Sequence, residues 1–271
     1  MWKPEDNLIT PDALHERLGD GNLKIADSRS DLIEPELGFR QYLDSHIPGA
    51  LFVSLEKDLS DPPGKRGRHP LPTKERFAES LRGWGISNDS HVVVYDAGTA
   101  MFSCRMWWMM RWLGHERVSV LDGGFAAWVD AGYPTSTDIP VPVQTEFSIG
   151  QSLTRTATAD EVANHSGVLL DARTEDRFHG MNEMIDHTPG HIPGATCSPF
   201  PENLGPDGKF TRDPAKFSNV SKDAEVICYC GSGVTATNNI LALVVAGYDE
   251  PTLYPGSWSE WIEDDSRPVA T

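Results

Sequence analysis

The feature that most constrains this chain is that it is written twice. The first half contains "IADSRS", "SHIPGA", "HVVVYDAG" and "VSVLDGGFAAW"; the second contains "LLDART", "GHIPGA", "EVICYCGSG" and "PTLYPGSWSEW". Four elements recur in the same order. Asp27 corresponds to Asp171, His46 to His191, Tyr95 to Tyr229 and Trp128 to Trp261. One shared motif could arise by coincidence, but four in order require a duplicated domain. The repeat is far too long for a solenoid. With 271 residues, the chain has room for two domains of ordinary size.

The texture within each half alternates. "NLKIADS", "HVVVYD", "VSVLDG", "GVLLDAR", "EVICYC" and "PTLYPG" read as short buried strands. "TKERFAESLRGWG" and "TATNNILALVVAGY" read as helices, with the glycine that follows each pattern expected as a C-cap. Short apolar strands separated by helices imply an α/β fold, each domain a mainly parallel sheet flanked by helices. Ligands of such sheets bind beyond the carboxyl ends of the strands. "AGYPTSTDIPVPVQTEFSIGQ", from Ala131 to Gln151, carries three prolines and no periodic apolar face. The expected organisation is a first domain over 1–135, a linker over 136–151 crossing the surface of both domains, and a second domain over 152–271.

Composition narrows the partners. The formal net charge of -17 argues against nucleic acid and anionic membranes, since both need clustered Lys and Arg. Any anion site must therefore be made locally. The four cysteines, Cys104, Cys197, Cys228 and Cys230, have no disulfide-framework spacing, and the Cys-x-Cys pair lacks a second pair with zinc spacing. No metal is expected. "MWKPEDNLIT" has neither the basic start nor the apolar core of a signal peptide, and no apolar run reaches the roughly 18 residues of a membrane span. A cytoplasmic location is expected, where Cys230 stays a free thiol.

Cys230 stands at the lip of an apolar strand, before Gly231 and Gly233 and a helical pattern that starts near Val234. The glycines let the backbone fold tightly and adopt positive φ. Successive N–H groups can then form an anion-binding nest, reinforced by the helix N-terminus, with Thr235 or Thr237 as caps. Such a cradle favours the thiolate, which is the nucleophile. Cys228, inside the strand, reads instead as a small buried hydrophobe. A cysteine phosphatase would need an arginine six residues after the cysteine to clamp phosphate. Here that residue is Ala236, and no Lys or Arg lies between Gly231 and Tyr248. Sulfur transfer through a persulfide fits the uncharged loop and requires no cofactor.

Together, "HIPGA" twice, "GRHPLP", "VLDGGFAAW", "CGSGVTA" and "GSWSEW" carry a resemblance over nearly the whole chain. The chain resembles the tandem-domain rhodanese family of thiosulfate and 3-mercaptopyruvate sulfurtransferases. That resemblance implies two rhodanese-like domains with only the second catalytic. Asp96 stands where Cys230 stands in the other half, so the first domain is expected to be inert and to wall the cleft. The loop Cys230, Gly231, Ser232, Gly233, Val234, Thr235 resembles the mercaptopyruvate type, with Ser232 positioning the donor or protonating its leaving group. His69 matches a family histidine that works with the loop serine. Arg177 matches the first of two family arginines that hold the donor, and Arg68 is a further candidate for its anionic end. The second arginine is missing: nine residues after Arg177 stands Asp186, a departure found on the thiosulfate side of the family. The sequence is thus a hybrid that leans towards 3-mercaptopyruvate, with both donors accepted to some degree and cyanide, a thiol or a thioredoxin-like protein as acceptor. A persulfide relay acting on a protein partner is the alternative. His46, His191 and the two Asp-x-Arg pairs occur in both halves and are expected to be structural. The run from Met101 to Gly114 is expected to serve packing.

Overall fold

The β-branched and aromatic windows become strands of two parallel sheets. The computed structural model describes residues 2–271 and divides into two compact units. The first contains the chain up to Ser60, with Pro72–Leu153 and Gly205–Phe210; the second contains Asp61–Leu71, Thr154–Leu204 and Thr211–Thr271.

In the first unit the order is β1 (Leu8–Ile9), α1 (Pro11–His15), β2 (Leu23–Asp27), α2 (Leu37–Asp44), β3 (Ala50–Phe52), α3 (Lys74–Gly83), β4 (His91–Tyr95), α4 (Met101–Trp112), β5 (Val118–Leu121) and α5 (Gly124–Asp130). Its sheet runs β1-β5-β4-β2-β3, with every neighbouring pair parallel. All of central β4 is buried, as a strand covered on both faces requires. Residues Phe102 to Met110 of α4 are buried in this unit. They pack the core, and Cys104 goes with them, its thiol pushed up by burial.

The second unit has α6 (Ala159–Ala163), β6 (Val168–Asp171), α7 (Glu175–Phe178), β7 (Thr196–Cys197), β8 (Val226–Tyr229), α8 (Ala236–Val245), β9 (Thr252–Leu253) and α9 (Ser257–Trp261). Its sheet order is β7-β6-β8-β9, again all parallel. Thr158 and Glu161 form a reciprocal capping box at the start of α6, which satisfies donors the first turn would otherwise leave unpaired.

The duplication extends to individual hydrogen bonds. Asp27 pairs in register with Tyr95, and Asp171 with Tyr229. Arg29 Nη2 lies 2.6 Å from the Asp27 carboxylate and Arg173 Nη2 lies 2.7 Å from that of Asp171. The Tyr95 hydroxyl accepts from Ile47 N at 3.1 Å, and the Tyr229 hydroxyl from Ile192 N at 3.2 Å. His46 and His191 each place Nδ1 on a carbonyl, of Tyr42 at 2.7 Å and of Phe178 at 2.9 Å. Trp128 and Trp261 donate Nε1–H to Pro134 O and Pro268 O. These conspicuous residues therefore tie each unit together. Both helices α3 and α8 end in a Schellman motif: Ile86 N reaches Leu81 O, and Tyr248 N reaches Leu243 O.

Residues 136–151, expected to cross both domains, pack on the first unit. Arg82 donates Nε–H and Nη2–H to Phe147 O, Thr145 N donates to Arg82 O, and the Phe147 ring is buried. A polar, proline-rich stretch can still be strapped down by its own backbone carbonyls and one aromatic anchor. Among the described residues, no helix is long and apolar enough to cross a membrane.

Candidate active site

Strand β8 ends at Tyr229, and α8 begins at Ala236. The intervening residues, Cys230 to Thr235, form the loop at the carboxyl end of the sheet. Cys230 is 2% exposed. Gly233 N lies 3.1 Å from Cys230 Sγ and points its hydrogen at the sulfur. Cys230 N donates to Ser257 Oγ, and the start of α9 closes the loop from above: Trp258 N donates to Cys230 O and Ser259 N to Gly231 O. Ser257 has φ 54, a left-handed backbone that costs a non-glycine residue about 1 kcal/mol or more. Its contact with the Cys230 amide is one that sequence reasoning missed.

The two loop glycines serve different purposes. Only Gly233 has positive φ, at 76°; a Cβ there would also lie 2.2 Å from Pro255 O. At Gly231 the missing side chain leaves room for two arginines instead. A Cβ on it would stand 2.8 Å from Arg68 Nη2 and 3.5 Å from Arg177 Nη1 and Nη2. Both guanidinium groups thus lie directly over the residue after Cys230. The expectation of positive φ at both glycines is corrected accordingly.

The caps also differ from expectation. The helix starts two residues later than Val234, and neither threonine caps it through its side chain. Thr235 occupies the N-cap position with αR backbone and no side-chain capping bond, and Thr237 turns its hydroxyl back to Val234 O at 2.6 Å. Hydroxyls near a helix start can bond backward when the loop already fixes the turn. Val234 is buried at 2% exposure and packs rather than offering a contact to solvent.

His69 and Arg68 belong to the second unit through the segment Asp61–Leu71. His69 Nδ1 lies 2.7 Å from Ser232 Oγ, and Arg68 N donates to Ser259 Oγ. Asp61, the first residue of this segment, pairs with Arg66 at 2.7 Å, and Asp58, just before it, accepts from Ser54 N at 2.8 Å. Arg177, on α7, meets carboxylates of its own chain. Its Nε and Nη2 donate to Glu183 at 3.0 Å each, and Nη2 also donates to Asp186 at 2.9 Å. Arg68 Nη1 donates to the other oxygen of Asp186. Burial, then the neighbouring Arg177, pulls the Arg68 guanidinium below its usual value. Glu183 is a site residue that the sequence did not single out. Nothing in its local pattern distinguishes it from the many other carboxylates of an acidic chain.

The remaining thiols are poor nucleophiles. Burial pushes Cys228 up strongly, and burial followed by Asp171 raises Cys197 to about 12. Among the described residues, no group of three or more His, Cys, Asp or Glu is placed to hold a metal ion.

In the first unit the corresponding loop follows β4. Phe125 N donates to Asp96 O and Ala126 N to Ala97 O, as Trp258 and Ser259 do to Cys230 and Gly231. The description "Rhodanese-like domain" matches residues 10–131 and again 155–264. The chain belongs to the rhodanese family. Its rhodanese relatives span nearly its whole length. A Pseudomonas aeruginosa protein, named a probable 3-mercaptopyruvate sulfurtransferase, is 45% identical over 97% of this chain and 98% of its own. A Mycobacterium tuberculosis protein, provisionally named thiosulfate sulfurtransferase SseB, is 42% identical over 91% of this chain and 90% of its own. The crystal structure of SseA from Escherichia coli, described among 3-mercaptopyruvate sulfotransferases, matches with a TM-score of 0.82 at 33% identity, covering 94% of this chain and 99% of that one.

Proposed function

We propose that this rhodanese is a sulfurtransferase that moves a sulfane sulfur from 3-mercaptopyruvate or thiosulfate to a thiophilic acceptor through a persulfide on Cys230. The observation that carries the reading is the Cys230 sulfur facing an inward N–H of its own loop, beneath two guanidinium groups. Donors aimed at a site of developing negative charge are what a transferred sulfur needs.

The electrons balance without a cofactor. The Cys230 thiolate attacks the donor sulfur and forms a new S–S bond. In thiosulfate the S–S bond breaks, and sulfite leaves with the pair. In 3-mercaptopyruvate the C–S bond breaks, and the pair leaves on the pyruvate enolate, which takes up a proton. The Ser232 hydroxyl, paired with His69, is placed to deliver it and to be reprotonated. Arg177 and Arg68 bind the donor's anionic end, and Gly231, Gly233, Val234 and Thr235 shape the cradle. An acceptor thiolate or cyanide then attacks the outer sulfur, and the Cys230 thiolate returns. Thiol acceptors, a thioredoxin-like protein among them, fit a reducing cytoplasm.

In this reading 1–135 is an inert rhodanese-like domain, 136–151 connects, and 152–271 carries the chemistry with the help of Arg68 and His69. The uncharged loop favours mercaptopyruvate; Asp186 in the wall favours thiosulfate. A relay to a protein partner is the second reading. It is favoured by Met181, Met184 and Ile185, which stand 73%, 86% and 51% exposed on the segment that carries Glu183 and Asp186.

The deciding experiment measures kcat/KM for both donors with the wild type and with Cys230→Ser, alongside the mass of the protein after exposure to donor. Turnover and a gain of one sulfur atom are expected only with Cys230 present. Transfer by Cys230→Ser would remove the nucleophile assignment. A donor preference above about tenfold, roughly 1.4 kcal/mol of transition-state discrimination, identifies whether loop or wall decides. Sulfur loading with negligible turnover of small donors would favour the relay.

A further inference from the structure

Arg68 and Arg177 come from distant parts of the sequence, yet one carboxylate touches both. Asp186 Oδ2 accepts from Arg177 Nη2 at 2.9 Å, and Asp186 Oδ1 accepts from Arg68 Nη1. Two guanidinium groups this close repel each other, so Arg177 adds to the burial that already pulls Arg68 below its usual value. A shared carboxylate cancels that repulsion. Asp186 and Glu183 are themselves fixed. Their side chains are 3% and 2% exposed, whereas those of Arg68 and Arg177 are 28% and 19% exposed. Glu183 Oε1 also accepts from Ile185 N and Asp186 N, which ties the two acids into one turn. The carboxylates thus grip the arginines from the buried side. They leave Arg68 Nη2 and Arg177 Nη1 directed at Gly231.

We propose that Asp186 is a positioning residue: its carboxylate bridges Arg68 to Arg177 and so assembles a two-arginine clamp for the donor's anionic group. The inference rests on the reading that these arginines bind that group. In it, Arg68 replaces the missing second arginine, and Asp186 is what holds it there. Glu183 and Asp186 together offset the formal charge of the two arginines. The clamp therefore takes a monoanionic carboxylate or a sulfonate by the placement of its N–H groups rather than by excess charge.

The test is Asp186→Asn, with Asp186→Glu as the conservative control, assayed with both donors. A loosened clamp raises KM about tenfold with kcat largely kept, the scale of one lost charge-assisted contact, and Asp186→Glu restores part of it. Arg68→Met raises KM similarly, and the double variant Arg68→Met with Asp186→Asn is no worse than Arg68→Met alone. If Asp186→Asn lowers KM, the carboxylate competes with the donor, and the proposal falls; an unchanged KM also sinks it. Sulfite binding to Cys230→Ser, followed by calorimetry, reads the clamp without turnover and must weaken in the Asp186→Asn background. Should Asp186→Asn not fold, Glu183→Gln probes the same turn and must raise KM. Arg177→Met separates the two ideas. If it raises KM and Asp186→Asn does not, the bridge is wrong and the donor reading stands. If Arg177→Met leaves KM unchanged, the donor reading itself is wrong.

Discussion

The two sheets end in the same kind of loop, and the two loops hold different groups. In the first unit the Asp96 carboxylate sits 1% exposed and accepts from Gly98 N, Thr99 N and Ala100 N on one oxygen. Its other oxygen accepts from Phe102 N, Ser103 N and Ser103 Oγ. In the second unit a thiol takes that place and receives Gly233 N. A carboxylate oxygen of Asp and the outer sulfur of a cysteine persulfide both lie two bonds beyond Cβ. The first loop therefore displays, in permanent form, an anion at the position where the second would carry its transferred sulfur. The difference teaches that the same loop aims its N–H groups inward at whatever acceptor the residue after the strand supplies, a fixed carboxylate in one unit and a sulfur in the other. In the proposed function, catalysis depends on whether the held group can leave.

The most direct way to break that comparison is Cys230→Asp, which would make the second loop a copy of the first. Turnover should fall below detection while thermal unfolding shows a folded protein. A variant that unfolds would mean that the second loop cannot hold a fixed carboxylate. The converse change, Asp96→Ala, strands five backbone N–H groups and a hydroxyl in a buried pocket. It should cost about 3–5 kcal/mol of stability, read by denaturant unfolding, and an effect under roughly 1 kcal/mol would show that water replaces the carboxylate.

A second difference lies at the other end of the central strands, where His91 of β4 corresponds to the exposed Glu225 before β8. His91 Nε2 donates to Ser119 Oγ, which itself donates to Asp6 O, so Nδ1 is left to accept from Arg17. The ring is held neutral: burial, then Arg17, lowers it from 6.5 to about 4. Because the folded value is depressed, this contribution to stability is complete above pH 6.5 and is lost as pH falls towards 4. It amounts to roughly 3 kcal/mol at most. His91→Gln should flatten the slope of stability with pH inside that window, and an unaltered slope would place the acid sensitivity elsewhere. The smallest effect is expected at Gly231, whose counterpart Ala97 shows that the turn accepts a methyl group. Gly231→Ala should leave stability within about 1 kcal/mol yet raise KM, because the methyl meets Arg68. A stability loss with unchanged KM would mean that the guanidinium simply moves aside.

Much of this was legible in the sequence. The buried strands declare themselves by composition, and the duplicated motifs fix their order, since the same local chemistry at Asp27 and Asp171 builds the same ion pair twice. Cys230 could be placed at the lip because a strand pattern stops one residue before it. What could not be read was set by contacts across long stretches of chain. Ser257 reaches the Cys230 amide only because α9 folds back over the loop, and Glu183 matters only because Arg177 turns towards it. Phe147 was hidden in a segment that looks like linker. The roles of the two glycines were also inseparable in sequence, because one answers to φ and the other to a neighbour more than 160 positions away.

One stretch of eleven residues, Asp61–Leu71, sits in the first half of the sequence and belongs to the second unit. It brings Arg68 and His69. The duplicated copies are therefore no longer two separable inheritances. A gene cut between the repeats would pass on the cysteine without its histidine and without one of its arginines. The copy with Asp96 in place of the thiol supplies both of them.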